Sequence, residues 1–487
     1  MTTTDQDGVT INTLPDNVLV DIFIFYFNTE GDQLLETLLR VCQRWRALVL
    51  ASPRQLELES VYTGTEPVSE FARDIRPTWP VGIRPTDYSS SICRNITAFL
   101  NSKHLHLIHA IFLWSITASD LKKLVAAMEK PFPELKYLGI YVNEGPMTPL
   151  PDSLLGRSAP LLRQLVLNNC PFPGMPKLLL SATHLCQLDL RDIPDSGYFS
   201  PQDLGAALSV MSRLEFLRVE FESPRYPESR HPLSLTRSVL PSLTKLVFEG
   251  AHQYLEDLLA QIEAPLLSQL KIVFSEDPHF VVPQLHELIS HAEAFKKCHR
   301  AIVHTSDHGI RFSAFRELYS PELSLIGRGE LDQLLSSFAR LFNSSLSFLS
   351  TLEQLDFLDI STQTSKNGIE ITQWLELLEP FTSVTDLRLQ HQIASHVCRA
   401  LEELAEERVK QVLPALQKIF LIGVGESVPK YMQGFVAARQ LFGHPVAVCP
   451  WDDYRKTASN VYYLLCDCHY LTPNTLGLHH MWSLPSD

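Results

Sequence analysis

Residues 160–170 read PLLRQLVLNNC. Leu162, Leu165, Leu167 and Cys170 stand at the spacing L-x-x-L-x-L-x-x-C, which describes a short strand followed by a turn. Alternation along a strand sends Leu165 and Leu167 to one face. The thiol, like an Asn amide, can satisfy backbone groups of the turn. One such unit cannot bury its apolar face alone, so copies must stack.

Copies run along the chain. They are Ile108-Ile111-Leu113, Leu135-Leu138-Ile140 (with Asn143 at the ninth place), Leu185-Leu188-Leu190, Leu214-Leu217-Val219, Leu243-Leu246-Phe248 and Leu267-Leu270-Ile272. Near the C-terminus follow Leu352-Leu355-Phe357, Val384-Leu387-Leu389 and Leu416-Ile419-Leu421. From Ile108 the starts lie 27, 27, 23, 29, 29 and 24 residues apart, and the last intervals are 32. Most fall in or near the period of leucine-rich repeats, about 20–29 residues. The chain spends 77 of its 487 residues on leucine. The spacing therefore predicts a strand-lined solenoid of about ten repeats, parallel strands on its concave face.

Helical segments are expected between strands at Asp120–Lys130, Pro201–Met211, Gln253–Ile262 and Ser395–Leu413. Pro149–Pro151, Pro171–Pro176 and Pro224–Pro232 read as loops. The stretch 272–352 breaks the template. It carries a helical segment, Pro283–Phe295, and strand-like runs at Ala301–Thr305, Gly309–Ala314 and Glu322–Ile326, with room for two degenerate repeats. Residues flanking the inward leucines belong on the concave face. The target-binding candidates are Tyr137, Tyr141, Gln164, Asn168, Asp189, Arg191, Phe216, Arg218 and Lys245.

Residues 11–50 have another rhythm. Val18, Leu19, Ile22, Phe23 and Tyr26 follow a helical stripe opened by Pro15 and Asp16. After a polar break at 28–32, a second helical stretch carries Leu35, Leu38, Val41, Cys42, Trp45, Leu48 and Val49 and stops before Ser52-Pro53. So short a unit is not expected to hide that many large apolar side chains, so it should dock on either the solenoid or another protein.

The string Leu14-Pro15, Leu19, Ile22-Phe23, Leu39, Val41-Cys42, Trp45-Arg46 resembles the F-box, with its L-P-x-x-x-L-x-x-I-F opening and V-C-x-x-W closing. From about residue 11 to Trp451 the chain is similar to the large family of F-box proteins of mushroom-forming fungi. LPDSLLGRSAPLLRQL (150–165), PKLLLSATHLCQLDLRDIPDSGYFSP (176–201), WLELLEPF (374–381) and FVAARQLFGHPVAV (435–448) carry that similarity. The resemblance implies a substrate receptor of a cullin-based ubiquitin ligase. By it, Leu14, Pro15, Leu19, Ile22, Val41, Cys42 and Trp45 form or support the face for the Skp-family adaptor, and the repeats bind a target protein.

The expected fold is thus α/β: a small all-helical F-box, then a leucine-rich-repeat solenoid. Residues 1–10 are expected as a flexible N-terminus, 11–58 as the F-box, 59–104 as a connection, 105–450 as the solenoid and 451–487 as an atypical tail. The alternative from another class is a repeat scaffold without a ubiquitylation role.

Chemistry of other kinds is not signalled. HELISH at 286–291 places Ser290 where a zinc-protease helix needs its second His. Cys466, Cys468 and His469 have no standard zinc spacing. Gly423 and Gly425 lack a third glycine, with Val428 in its place. No enzyme activity, cofactor or metal is expected. Lys and Arg total 41 against 55 Asp and Glu, a net charge of −14 that disfavours nucleic acid and anionic membranes. No apolar run reaches the roughly 18 residues of a membrane span. The first ten residues lack a secretory pattern. Nine cysteines are too sparse for a disulfide framework, which points to cytoplasm or nucleus.

Overall fold

The computed structural model describes residues 11–30, 33–53, 55–56, 58–74, 79–143, 149–172, 175–223, 237–275, 280–306, 309–317, 320–344, 346–359, 370–404, 408–422 and 432–450. The chain is a mixed α/β protein with a long, mainly parallel sheet. Its described residues fall into two compact units, up to Leu113 and from Trp114 onward.

The first unit opens with helices α1 (Asp16–Glu30), α2 (Gln33–Val41) and α3 (Gln43–Ala51). The second helical stretch of the sequence is therefore broken, and Cys42 breaks it. Its backbone is extended, and its thiol accepts the Trp45 N–H at 3.4 Å, so it is the N-cap of α3. An N-cap side chain satisfies one of the orphan donors at a helix start. Cys42→Ser is expected to keep helix α3, while Cys42→Ala should lower stability by about 1 kcal/mol, read by thermal unfolding. Equal stability of the two variants would remove the capping role.

Leu19, Val20, Phe23, Leu38 and Val49 form the module's core with Leu56, Leu58 and Trp79. Segment 59–104, expected as a connection, is itself structured. Strands β1 (Ser60–Tyr62) and β2 (Val81–Ile83) pair in parallel, and β2 pairs with β3 (Ile108–Ile116). Helices α4 (Val68–Asp74) and α5 (Ser90–Leu100) lie between. Gly82 gives close approach: a Cβ there would meet the Glu59 carboxylate, which pairs with Arg84 at 2.5 Å.

The second unit is built from the repeats. Helix α6 (Ala118–Ala127), capped by Thr117, precedes β4 (Tyr137–Val142) and β5 (Gln164–Asn168). Then come α7 (Met175–Leu179), β6 (Gln187–Ile193), α8 (Pro201–Leu208) and β7 (Phe216–Phe221). Next are β8 (Ser238–Val239), β9 (Lys245–Gly250), α9 (His252–Leu259), β10 (Ile262–Glu263) and β11 (Gln269–Phe274). Strands β4, β5, β6, β7, β9 and β11 pair in parallel in that order, with the middle leucines Leu138, Leu165, Leu188, Leu217, Leu246 and Leu270 in register. Strands β8 and β10 form a separate small pair. In the repeat copies the apolar template residues are at most 5% exposed. Full burial of each such side chain stabilises by roughly 1.5–3 kcal/mol, so the stack of leucines is the main cohesive force. At the turn after β5 the Cys170 thiol donates to the Asn168 carbonyl at 3.3 Å, and burial pushes its pKa up to about 12.

The stretch 272–352 departs from the expected two degenerate repeats. After α10 (Pro283–His291) come β12 (Arg300–Ser306), β13 (Gly309–Phe315) and β14 (Leu323–Arg328), then α11 (Leu331–Asn343) and β15 (Gln354–Asp359). The three expected strand runs are present, but they form an antiparallel meander laid in reverse: β11 pairs with β14, β14 with β13, β13 with β12, and β12 with β15. Short links between the strands allow hairpins, whereas parallel neighbours need a long crossover. Within the meander β13 runs against its two neighbours, while β14 and β12 pair in parallel with β11 and β15, so both ends continue the parallel sheet.

Helices α12 (Ile371–Leu378), α13 (His391–Glu402), α14 (Arg408–Gln411) and α15 (Gln433–Leu441) alternate with β16 (Asp386–Gln390), β17 (Lys418–Ile422) and β18 (Ala447–Pro450). The single helix expected over Ser395–Leu413 is thus two. Glutamates lock successive helices: Glu256 of α9 accepts the Gln284 and Leu285 N–H groups of α10 at 2.7 and 3.0 Å. Glu402 of α13 does the same for Gly434 and Phe435 of α15 at 3.1 and 2.9 Å. A carboxylate on free N–H groups at a helix start is favourable for both hydrogen bonding and the dipole.

Candidate functional site

On each repeat strand the leucines face the helices, and the residues between them form the opposite, open face. On β7 this leaves Phe216, Arg218 and Glu220 half-buried while Leu217 and Val219 are sealed. Tyr141, Gln164, Asn168, Arg191, Phe216, Arg218 and Lys245 are all half-buried on this face. Two candidates are not at the surface. Tyr137 is buried, and Asp189 is only 1% exposed because neighbouring side chains cover it.

Asp189 is the centre of a charged cluster. Arg191, two residues on, donates to both its oxygens, Nε at 2.9 Å and Nη2 at 2.8 Å. Arg218, its register partner on β7, has Nε 3.8 Å from Asp189 and 3.6 Å from Glu220. Arg218 also lies over the Phe216 ring at 5.4 Å, and the Lys245 ammonium is at the same distance from that ring. Burial raises the pKa of Glu220, opposed by Arg218 and Arg191. Tyr141 stacks on Trp114 with ring centroids 4.0 Å apart, and desolvation pushes its phenol up to about 12. Cations on aromatic faces and bidentate Arg–carboxylate pairs fix the geometry of these side chains.

A second cluster lies across the meander, and the sequence reading missed it. Asp356, 1% exposed on β15, accepts from Arg300 of β12, Nε at 3.2 Å and Nη2 closer still. Gln354 donates to its other oxygen at 3.0 Å. Arg388, its register partner on β16, stands 4.0 Å away and over the Phe420 ring at 5.5 Å. A signal was present: Gln354-Leu355-Asp356 repeats Gln187-Leu188-Asp189, and each is followed one repeat later by a Leu-Arg or Asp-Leu-Arg strand. The partner Arg300 had none, because it comes from the reversed meander.

In the helical module, Leu19 is in the core, so it supports a face rather than offering one. Leu14 and Trp45 pack against that core, Trp45 on Phe23 with centroids 4.9 Å apart. Ile22 is half-buried and Pro15 exposed. Val41 is 52% exposed, and Ile11, Phe25 and Tyr26 of the same helical module are exposed apolar residues as well. Arg44 fixes the start of α1: its Nη2 donates to the Leu14 carbonyl and to Asp16, each at 2.6 Å.

Among the described residues no group of three His, Cys, Asp or Glu is placed to hold a metal ion. No helix among them is long and apolar enough to cross a membrane. Cys466, Cys468 and His469, the glycines at 423 and 425, and the loop 224–232 lie outside the described residues.

No protein family matches the sequence. No curated protein matches it. Among solved structures, the leucine-rich repeat-containing protein LegL7 from Legionella pneumophila is similar at 13% identity and a TM-score of 0.25, over 73% of this chain and 96% of its own. A likeness of that strength assigns no function.

Proposed function

We propose that the chain is an F-box substrate receptor. Its N-terminal helices dock on a Skp-family adaptor and through it a cullin, and the open face of its leucine-rich-repeat sheet holds a target protein. One observation carries this reading. The residues that resemble the F-box divide into a core, Leu19 with Trp45 on Phe23, and the exposed apolar positions Pro15 and Val41. Exposed apolar side chains on a small helical unit mark a docking face. The chain does no bond chemistry in this reading. It raises the local concentration of target near the transfer machinery, needs no cofactor, and works in cytoplasm or nucleus.

Co-purification with the Skp-family adaptor tests it. Val41→Lys keeps the last turn of α2 favourable to the helix dipole. It is expected to weaken adaptor binding by about tenfold or more without lowering the melting temperature. Leu14→Ala/Pro15→Ala should act in the same direction. A folded native chain that never holds the adaptor would sink the reading. Adaptor binding without cullin recruitment would leave a repeat scaffold with no ubiquitylation role.

A further inference from the structure

The row at the start of the open-face strands differs from the charged rows beyond it. Tyr137, Gln164, Gln187, Phe216, Lys245 and Gln269 stand side by side in register on β4, β5, β6, β7, β9 and β11. Glutamine fills three of these places, and Lys245 is the one charge, its ammonium 5.4 Å from the centre of the Phe216 ring. All but Tyr137 are half-buried. In the next row Val166, Asp189 and Val247 are sealed, so the sheet is closed beyond the glutamines.

The three carboxamides are unused. Among the described residues Gln164, Gln187 and Gln269 make no hydrogen bond through their side chains. The two Gln-Leu-Asp triplets differ on this point. On β15 Gln354 donates to Asp356 at 3.0 Å. On β6 Arg191 takes both oxygens of Asp189, and Gln187 stays available.

A carboxamide carries donors and an acceptor and no charge. Its complement is a neutral group of the same kind. An ionised side chain laid on the glutamines would lose water without gaining a counter-charge. A helix cannot supply the complement from its backbone, whose N–H and C=O groups are paired internally. An extended segment can, since its peptide groups stay open along both edges. Gln187 and Gln269 are three strand spacings apart. That is about 14 Å, the length of about four extended residues.

We propose that this row receives an extended, uncharged stretch of the target's backbone laid across the strands, its peptide groups paired with Gln164, Gln187 and Gln269 and an apolar side chain on Phe216. The inference deepens the target-binding reading of the repeat sheet and rests on it.

The test pans a display library of random dodecapeptides against the full chain and reads the best enriched peptide, labelled, by fluorescence anisotropy. N-methylation of alternate backbone amides in that peptide should weaken binding about tenfold or more, as loss of one or two hydrogen bonds does. Neutral replacement of its charged residues should change affinity less than about threefold. Gln187→Leu should weaken binding about tenfold at an unchanged melting temperature, and Gln164→Leu/Gln269→Leu at least as much. Gln187→Ala gives the same reading should the leucine variant lose stability. No enriched peptide, insensitivity to N-methylation, or full binding by the glutamine variants would overturn the proposal. So would binding that depends on a charged residue of the peptide, which would assign recognition to the charged rows. So would a native chain that dimerises in sedimentation while Gln187→Leu is monomeric, which would make a second copy the occupant. Adaptor co-purification, run on the same variants, is independent of this face, so failure of the F-box reading and failure of the glutamine row are told apart.

Discussion

Asp356→Ala is expected to lower stability by about 3–5 kcal/mol, because it strands the buried Arg300 guanidinium without its counter-charge. Arg300 donates through both Nε and Nη2 to one Asp356 oxygen, and both side chains are almost wholly covered. Taking one charge away leaves the full desolvation cost of the other. At about 2.1 cal/mol/K of unfolding entropy per residue, over a unit that runs from Trp114 to Leu464, the loss corresponds to a melting shift of roughly 4–7 °C. The paired change Arg300→Met/Asp356→Leu should recover most of it, since two apolar side chains of similar volume need no partner. A double-mutant cycle by chemical unfolding measures the coupling. If Asp356→Ala costs under about 1 kcal/mol, the pair is solvated rather than buried. If the paired variant is as unstable as the single one, the contribution lies in packing.

Arg439→Leu is the second large effect. Arg439 is fully buried on α15. Its Nη1 donates to the Val409 carbonyl at 3.0 Å, and its Nη2 to the Pro414 and Leu416 carbonyls at 3.2 and 3.1 Å. Burial lowers its pKa, and its ring contact is Phe435 at 6.0 Å. The guanidinium thus closes backbone groups between α14 and β17. Its removal orphans three carbonyls at about 1–3 kcal/mol each, partly offset by relief of a buried charge. A net loss on the order of 3 kcal/mol is expected. Arg439→Lys should recover only part, because a compact ammonium cannot reach as a fork. Thermal and chemical unfolding of both variants checks this. A Leu variant as stable as the native chain would mean that desolvation outweighs the three bonds.

The leucine spacing was legible because it repeats. Leu138, Leu165, Leu188 and Leu217 are local marks of a strand, and each is sealed in register with the next. The open-face assignment of Arg191, Phe216 and Arg218 followed from alternation alone. Alternation put Asp189 on that same face but could not report its burial, because Arg191 and Arg218 close over the carboxylate. Cys42 was singled out as part of a motif, yet its work as an N-cap depends on backbone angles that no spacing reports.

The apolar period by itself determined that this chain builds a stacked α/β sheet with helices on one side, since only stacking can hide that many leucines. It also marked the separate helical start at Leu14–Leu50. The tertiary structure alone decided that β12–β13–β14 enters the sheet reversed, because hairpin and crossover compete on link length and neighbour pairing rather than on composition. That reversal brings Arg300 to Asp356 across 56 positions of sequence. Pairs so distant are chosen by register, and register is a property of the assembled sheet.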